Sequence, residues 1–227
     1  MFRMQRAVPF HTDEIYHIFN RGAHKEKIFR DDRGRQRFQA LLLICNRRDP
    51  VHLGNLLTKY KGPSFIKLFS EQVPKERDRL VDVLAYCLMP NHFHIVMRQR
   101  RAGGITTLMR KVGTAYSMYF NAKHDHSGTL LQGRFKSEHI DTERYLRWIF
   151  QYVHLNPLDI FESKWREVGL KDTKGAEHFI ANYRWSSHLD YSALERSEQS
   201  ILTMDDVYDK LDFNDALQFI REDKTVL

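Results

Sequence analysis

The sequence predicts an α+β fold: one antiparallel sheet with helices packed on one face, followed by a helical C-terminal extension. Three observations lead there. Leu80–Leu88 and His92–Arg98 read as two strands joined by a tight Met89-Pro90-Asn91 turn. Two long stretches, from Gly104 to about Lys123 and from Asp141 to about Asn156, repeat apolar residues at helical spacing. Strand-like and helix-like stretches also alternate, rather than segregating into separate blocks.

Element by element, Glu14–Asn20 (EIYHIFN) alternates ahead of Arg21-Gly22 and reads as the first strand. Asp31 or Asp32 can cap a helix to about Arg48, with Phe38, Leu41, Leu42 and Cys45 on its apolar face. Residues 50–77 lose periodicity around Gly62-Pro63 and Pro74 and read as an insertion with one short helix. In the hairpin, Phe93, Ile95 and Met97 point into a core, so His92 and His94 share the opposite face. Gly103-Gly104 opens a helix whose stripe is Ile105, Leu108, Val112, Ala115, Tyr116 and Tyr119. After a polar turn, Arg134–Ile140 is a strand. Asp141-Thr142-Glu143 then supplies a cap and first-turn acid for a helix that Pro157 should end near Asn156. The remaining chain is helical and loop-rich, with short acidic segments near Asp205–Leu211 and Asn214–Arg221. The order β-α-β-β-α-β-α is that of a ferredoxin-like, or RRM-like, sheet, whose second face is expected to stay free for ligand. Residues 1–160 are expected to form the main domain, with the 50–77 insertion, and 161–227 the extension.

Hydrophobic residues make up 42% and charged residues 29% of the 227, ordinary for a globular chain. No apolar run approaches the roughly 20 residues of a membrane span. The first residues lack the apolar core of a secretory signal, and Cys45 and Cys87 form no metal or redox spacing. A cytoplasmic, nucleoid-associated protein with no membrane partner is expected. Net charge is +7, unevenly placed: from Thr203 onward seven acids face three bases, leaving +11 on residues 1–202. A polyanion such as nucleic acid suits that body.

Twelve histidines make a single His-x-His pair weak evidence, and His124-Asp125-His126 reads as a solvated turn. His92-Phe93-His94 gains weight from its strand and its apolar opposite face. With Tyr145 at 0° on the late helix, Leu146, Ile149, Phe150 and Val153 fall on a buried stripe, while Arg147, Gln151 and His154 fall on the wet face. Tyr152 and Asn156 lie together on the flank, one turn apart. A hydroxyl there can reach a solvent-facing site, and the amide oxygen suits a hard divalent ion. Tyr145 shares nearly the same angle, but Ile149 four residues on cannot bind metal.

These residues resemble those of the single-tyrosine HUH transposases, especially the REP-associated tyrosine transposases of bacteria. The His pair matches His92-Phe93-His94, and the tyrosine followed four residues later by an amide ligand matches Tyr152 and Asn156. Further similarity lies in Tyr16-His17-Ile18-Phe19-Asn20-Arg21-Gly22, Gln132-Gly133-Arg134-Phe135 and Tyr183-Arg184-Trp185-Ser186-Ser187, over roughly residues 13–191. The resemblance implies Mg²⁺ or Mn²⁺ held by His92, His94 and Asn156, and attack by Tyr152 to give a 5′-phosphotyrosine and a free 3′-OH. It implies hairpin-bearing single-stranded DNA as partner, at REP-like sequences or element ends, and a monomer or homodimer. Arg21, Arg98, Arg100, Arg101, Arg110, Lys111, Arg134 and Lys136 are the expected phosphate contacts. Two alternatives stay open. One is a non-catalytic nucleic-acid-binding sheet. The other is a zinc hydrolase whose third ligand is His17 or His139.

Overall fold

A computed structural model describes residues 9–52, 54, 65, 67–192, 195–204 and 216–218. Arg3 and Arg6 of the N-terminal arm, residues 53, 55–64 and 66 of the 50–77 insertion and most of the acidic segments lie outside them. The elements are β1 (Ile15–Arg21), α1 (Asp32–Ile44), α2 (Leu68–Glu71), β2 (Val81–Met89), β3 (His92–Gln99), α3 (Gly104–His124), β4 (Lys136–Ile140) and α4 (Glu143–Leu155). Four short helices come after these: α5 (Leu158–Phe161), α6 (Trp165–Val168), α7 (Thr173–Asn182) and α8 (His188–Tyr191). The strands form one sheet in the order β2-β3-β1-β4, antiparallel throughout. The expected α+β sheet, its helices and its helical C-terminal region are all present.

The side-chain pattern sets which helix covers which face. Phe93 lies 5.0 Å from Phe38 of α1 with its ring tilted, and Phe38 meets Tyr116 of α3 at 5.2 Å. That face therefore belongs to α1 and α3. His92 and His94 point the other way, as expected, but this face is not free: α4 lies across it, with Tyr152 edge-on to His94. The physical reason is in β2, buried at all nine positions. A strand apolar on both sides needs cover on both sides.

Local chemistry fixes the ends of α4. The Thr142 hydroxyl accepts from the Tyr145 N–H at 3.2 Å, with Glu143 in the first turn. Pro157 closes the hydrogen-bond ladder, yet Asn156 keeps helical angles (φ −52°, ψ −38°) against the usual pre-proline preference. Its side-chain N–H donates to the Tyr152 carbonyl at 2.8 Å, and the turn runs on into α5.

The C-terminal extension packs into the main core through Trp185, Tyr191, Ile201 and Leu202. It also adds to the outer edge of β2: Leu88 N–H donates to the Trp185 carbonyl (2.9 Å) and Ser187 N–H to that of Tyr86 (2.9 Å). Thus Tyr183–Ser187 is an edge seal in the described fold. The same packing corrects His154, expected on the wet face of its helix: it is fully buried, 2.8 Å from the Ser187 hydroxyl, because the 183–192 segment covers it.

His154 and its neighbour His188 are both buried, and burial holds both rings below the usual histidine range, His188 at about 4. Both rings bind protons more readily unfolded than folded. Stability is therefore complete above pH 6.5 and falls as pH drops toward 4, by on the order of 3 kcal/mol for His188 alone. Urea unfolding at pH 7 and pH 4 measures this. His188→Gln is expected to lose less than the wild type, and equal losses would remove the ring as the cause.

Candidate active site

Cross-strand register brings the site together. Phe19 of β1 faces His94 of β3, Arg21 faces His92, and His17 faces Glu138 of β4. Side chains of His17, His92, His94 and Glu138 therefore rise on the face that α4 crosses. His92 and His94 have ring centroids 5.0 Å apart and nearly perpendicular planes. Tyr152 lies edge-on to His94 at 5.6 Å and stacks on Trp148 at 5.0 Å. The two imidazoles, Tyr152 and Asn156 thus meet within a single chain.

Each imidazole uses Nδ1 on the protein. His92 Nδ1 bonds the Asn91 side-chain oxygen at 2.7 Å, and His94 Nδ1 bonds His17 Nε2 at 2.8 Å. The nitrogen left over on each ring is Nε2. Asn156 spends its N–H on the Tyr152 carbonyl, leaving its oxygen, and its side chain acts on both His92 and Tyr152. Two imidazole nitrogens and an amide oxygen form a donor set that fits a divalent cation. Burial lowers His92 below the usual histidine range, and it lowers His94 well below, helped by His17, His92 and Arg166. Neutral rings keep their lone pairs.

Burial also raises the Tyr152 phenol, while the Arg166 guanidinium, 5.0 Å from its ring, and Asn156 pull it back. Tyr145 is held differently. Its hydroxyl donates to Glu138 at 3.1 Å, and burial and that carboxylate raise its phenol strongly. Glu138 also accepts from His17 Nδ1 at 3.2 Å, which holds its carboxyl below the usual range.

The expected basic residues divide. Arg21 and Lys136 stand in register with the imidazole end of the sheet, Arg21 bonded to Gln132. Arg134 lies two residues before β4 on an exposed position, and Arg110 is exposed on α3. Arg98 stands six residues along β3 from His92, about 20 Å away. It and Arg100 flank buried Asp82 at 3.8 and 3.4 Å, and Arg101 bonds the Arg77 and Arg79 carbonyls. Lys111 donates to the carbonyls of Arg47, Arg48 and Asp49 at the end of α1. These four have structural partners away from the imidazoles.

Sequence reasoning missed Glu138, Trp148 and Arg166. Of the two alternative zinc ligands, His17 joins the site and His139 does not: it faces the other side of β4 and pairs with Glu14 at 2.9 Å. No helix among the described residues is long and apolar enough to cross a membrane.

No curated protein matches the chain. Among solved structures, that of the REP-associated tyrosine transposase bound to a REP hairpin aligns with 92% of this chain and 94% of its own, at 14% identity and a TM-score of 0.49. The family described as "Transposase IS200 like" matches residues 42–156, half of the chain and the part that holds His92, His94, Tyr152 and Asn156. On that match, over the hairpin and helix whose side chains meet at this site, the chain belongs to the IS200-like transposases, enzymes that cleave DNA.

Proposed function

We propose that this protein cuts and rejoins single-stranded, hairpin-bearing DNA, with Tyr152 as nucleophile and a divalent cation, Mg²⁺ or Mn²⁺, held by His92, His94 and Asn156. The observation that carries the reading is the meeting of Tyr152 and Asn156 with both imidazoles in one chain. When bound, the cation neutralises and polarises the scissile phosphate. The Tyr152 oxygen attacks phosphorus, the P–O3′ bond breaks, and the leaving oxygen takes up a proton as a 3′-OH. The 5′ phosphate stays on the tyrosine as an ester, so a later 3′-OH can rejoin the strand without ATP. Stacking on Trp148 fixes the phenol ring, and Arg166 favours the phenolate electrostatically.

Arg21, Lys136, Arg134 and Arg110 serve as phosphate contacts in this reading, and Arg98, Arg100, Arg101 and Lys111 add positive field from their structural positions. Residues 1–160 carry the nucleophile and ligands, and the 161–227 extension contributes Arg166. A zinc hydrolase would require a third ligand. Among the described residues no group of three His, Cys, Asp or Glu side chains is arranged to hold a metal.

The test uses 3′-labelled, hairpin-bearing single strands with Mg²⁺ or Mn²⁺, read on denaturing gels. Label migrating with the protein, and lost with EDTA, is the expected result. Cleavage without an adduct would support a hydrolase, and a shift on native gels alone a binding module. His94→Ala is expected to slow cleavage on the order of 10³-fold, since cation stabilisation of the transition state amounts to several kcal/mol.

A further inference from the structure

We propose that Glu138 and His17 act as an outer pair that fixes His94 in the tautomer with Nδ1 protonated and Nε2 bare, and so sets the ring for its cation. This rests on the reading of His94 as a ligand. The geometry runs in one direction. An ionised carboxylate can only accept, and Glu138 Oε2 receives both the Tyr145 hydroxyl (3.1 Å) and His17 Nδ1 (3.2 Å). A neutral imidazole that donates through one nitrogen accepts through the other, so His17 Nε2 is an acceptor. It lies 2.8 Å from His94 Nδ1, so with His17 neutral the proton between them is carried by His94 Nδ1. The reverse assignment on a neutral His94 would set two lone pairs against each other.

His94 Nε2 is then bare, on the ring that meets His92 and Tyr152. A free imidazole favours the other tautomer, so the outer pair opposes an intrinsic preference. The His17 and His94 rings lie side by side and nearly coplanar, 5.0 Å between centroids and 13° between planes, so their hydrogen bond runs in both ring planes and fixes orientation as well as protonation. Both rings are buried, at 3% and 7% exposure, so water competes little for these nitrogens. Partners of this kind characteristically tune metal-binding histidines. The arrangement also gives Tyr145 a task. Its hydroxyl orients Glu138, which makes Tyr145 a positioning residue.

Long-range ¹H–¹⁵N NMR of the metal-free protein at pH 7.5 reads the tautomer directly. The wild type is expected to show His94 protonated at Nδ1, and His17→Phe, which keeps an aromatic ring there, to move the proton to Nε2. Mn²⁺ titration followed by EPR is expected to weaken about 10- to 100-fold in His17→Phe. A wild-type His94 protonated at Nε2, or a His17→Phe protein that binds Mn²⁺ as tightly as wild type, overturns the proposal. If His17→Phe does not fold, the wild-type spectrum decides the tautomer and Glu138→Ala supplies the titration. The ligand reading fails separately: a wild type without a Mn²⁺ site, or a His94→Ala protein that binds equally well, sinks it, while the metal-free spectrum still judges the outer pair.

Discussion

Tyr152→Phe is expected to abolish the protein–DNA adduct and to reduce cleavage at least ~10⁴-fold, as removing a nucleophile does elsewhere. The substitution deletes one oxygen and little else. Phenylalanine keeps the stack on Trp148 and the place beneath Arg166. DNA affinity by fluorescence anisotropy should stay within about threefold, because phosphate contacts made elsewhere carry binding. Tyr145 cannot take over, because its hydroxyl is committed to Glu138 and its phenol is raised more strongly. Tyr145→Phe should therefore retain the adduct. The pair of variants, run on the same labelled strand, separates the two tyrosines. An adduct that survives in Tyr152→Phe and vanishes in Tyr145→Phe would reverse the assignment.

The second large effect concerns stability. Arg196 grips Asp190 through two hydrogen bonds, Nε to Oδ1 at 2.9 Å and Nη2 to Oδ2 at 2.6 Å, and also donates to the Arg184 and Ser186 carbonyls. The Asp190 side chain is fully buried. Burial pushes its carboxyl up and Arg196 pulls it back. Removing the guanidinium leaves a carboxylate without its partner in a dry site, which costs about 3–5 kcal/mol. For a chain of this length that lowers the melting temperature of Arg196→Met on the order of 10 °C. Asp190→Leu combined with Arg196→Met should recover part of the loss, since an apolar pair leaves no buried charge. Calorimetry on the three proteins measures this, and a drop below about 2 °C in Arg196→Met would refute it.

Periodicity made much of this molecule legible. The hairpin, the face of His92 and His94 and the pairing of Tyr152 with Asn156 arise from local repeats of two or 3.6 residues, and the Thr142 cap from a hydroxyl at the helix start. The hidden part depends on contacts between distant segments. Glu138 reaches His17 across 121 positions, and Arg166 comes from a short helix that no pattern marks. His154 looks wet on the helical wheel because its cover arrives from residues 183–192. The apolar run of β2 did carry a signal for cover on both faces, and weighing it would have placed α4. Charge clustering was the poorest guide. It cannot separate Arg21, in register with His92, from Lys111, bound at a helix end.

The strand-like attachment of residues 185–187 bears on how copies of this chain can associate. One flank of the sheet has its amides and carbonyls occupied by the chain's own continuation, so no second molecule can extend the sheet there. Among the described residues, growth is left to the outer side of β4. That strand is five residues long, with Lys136, Glu138 and His139 exposed, which makes it a poor template for edge-to-edge pairing with another chain.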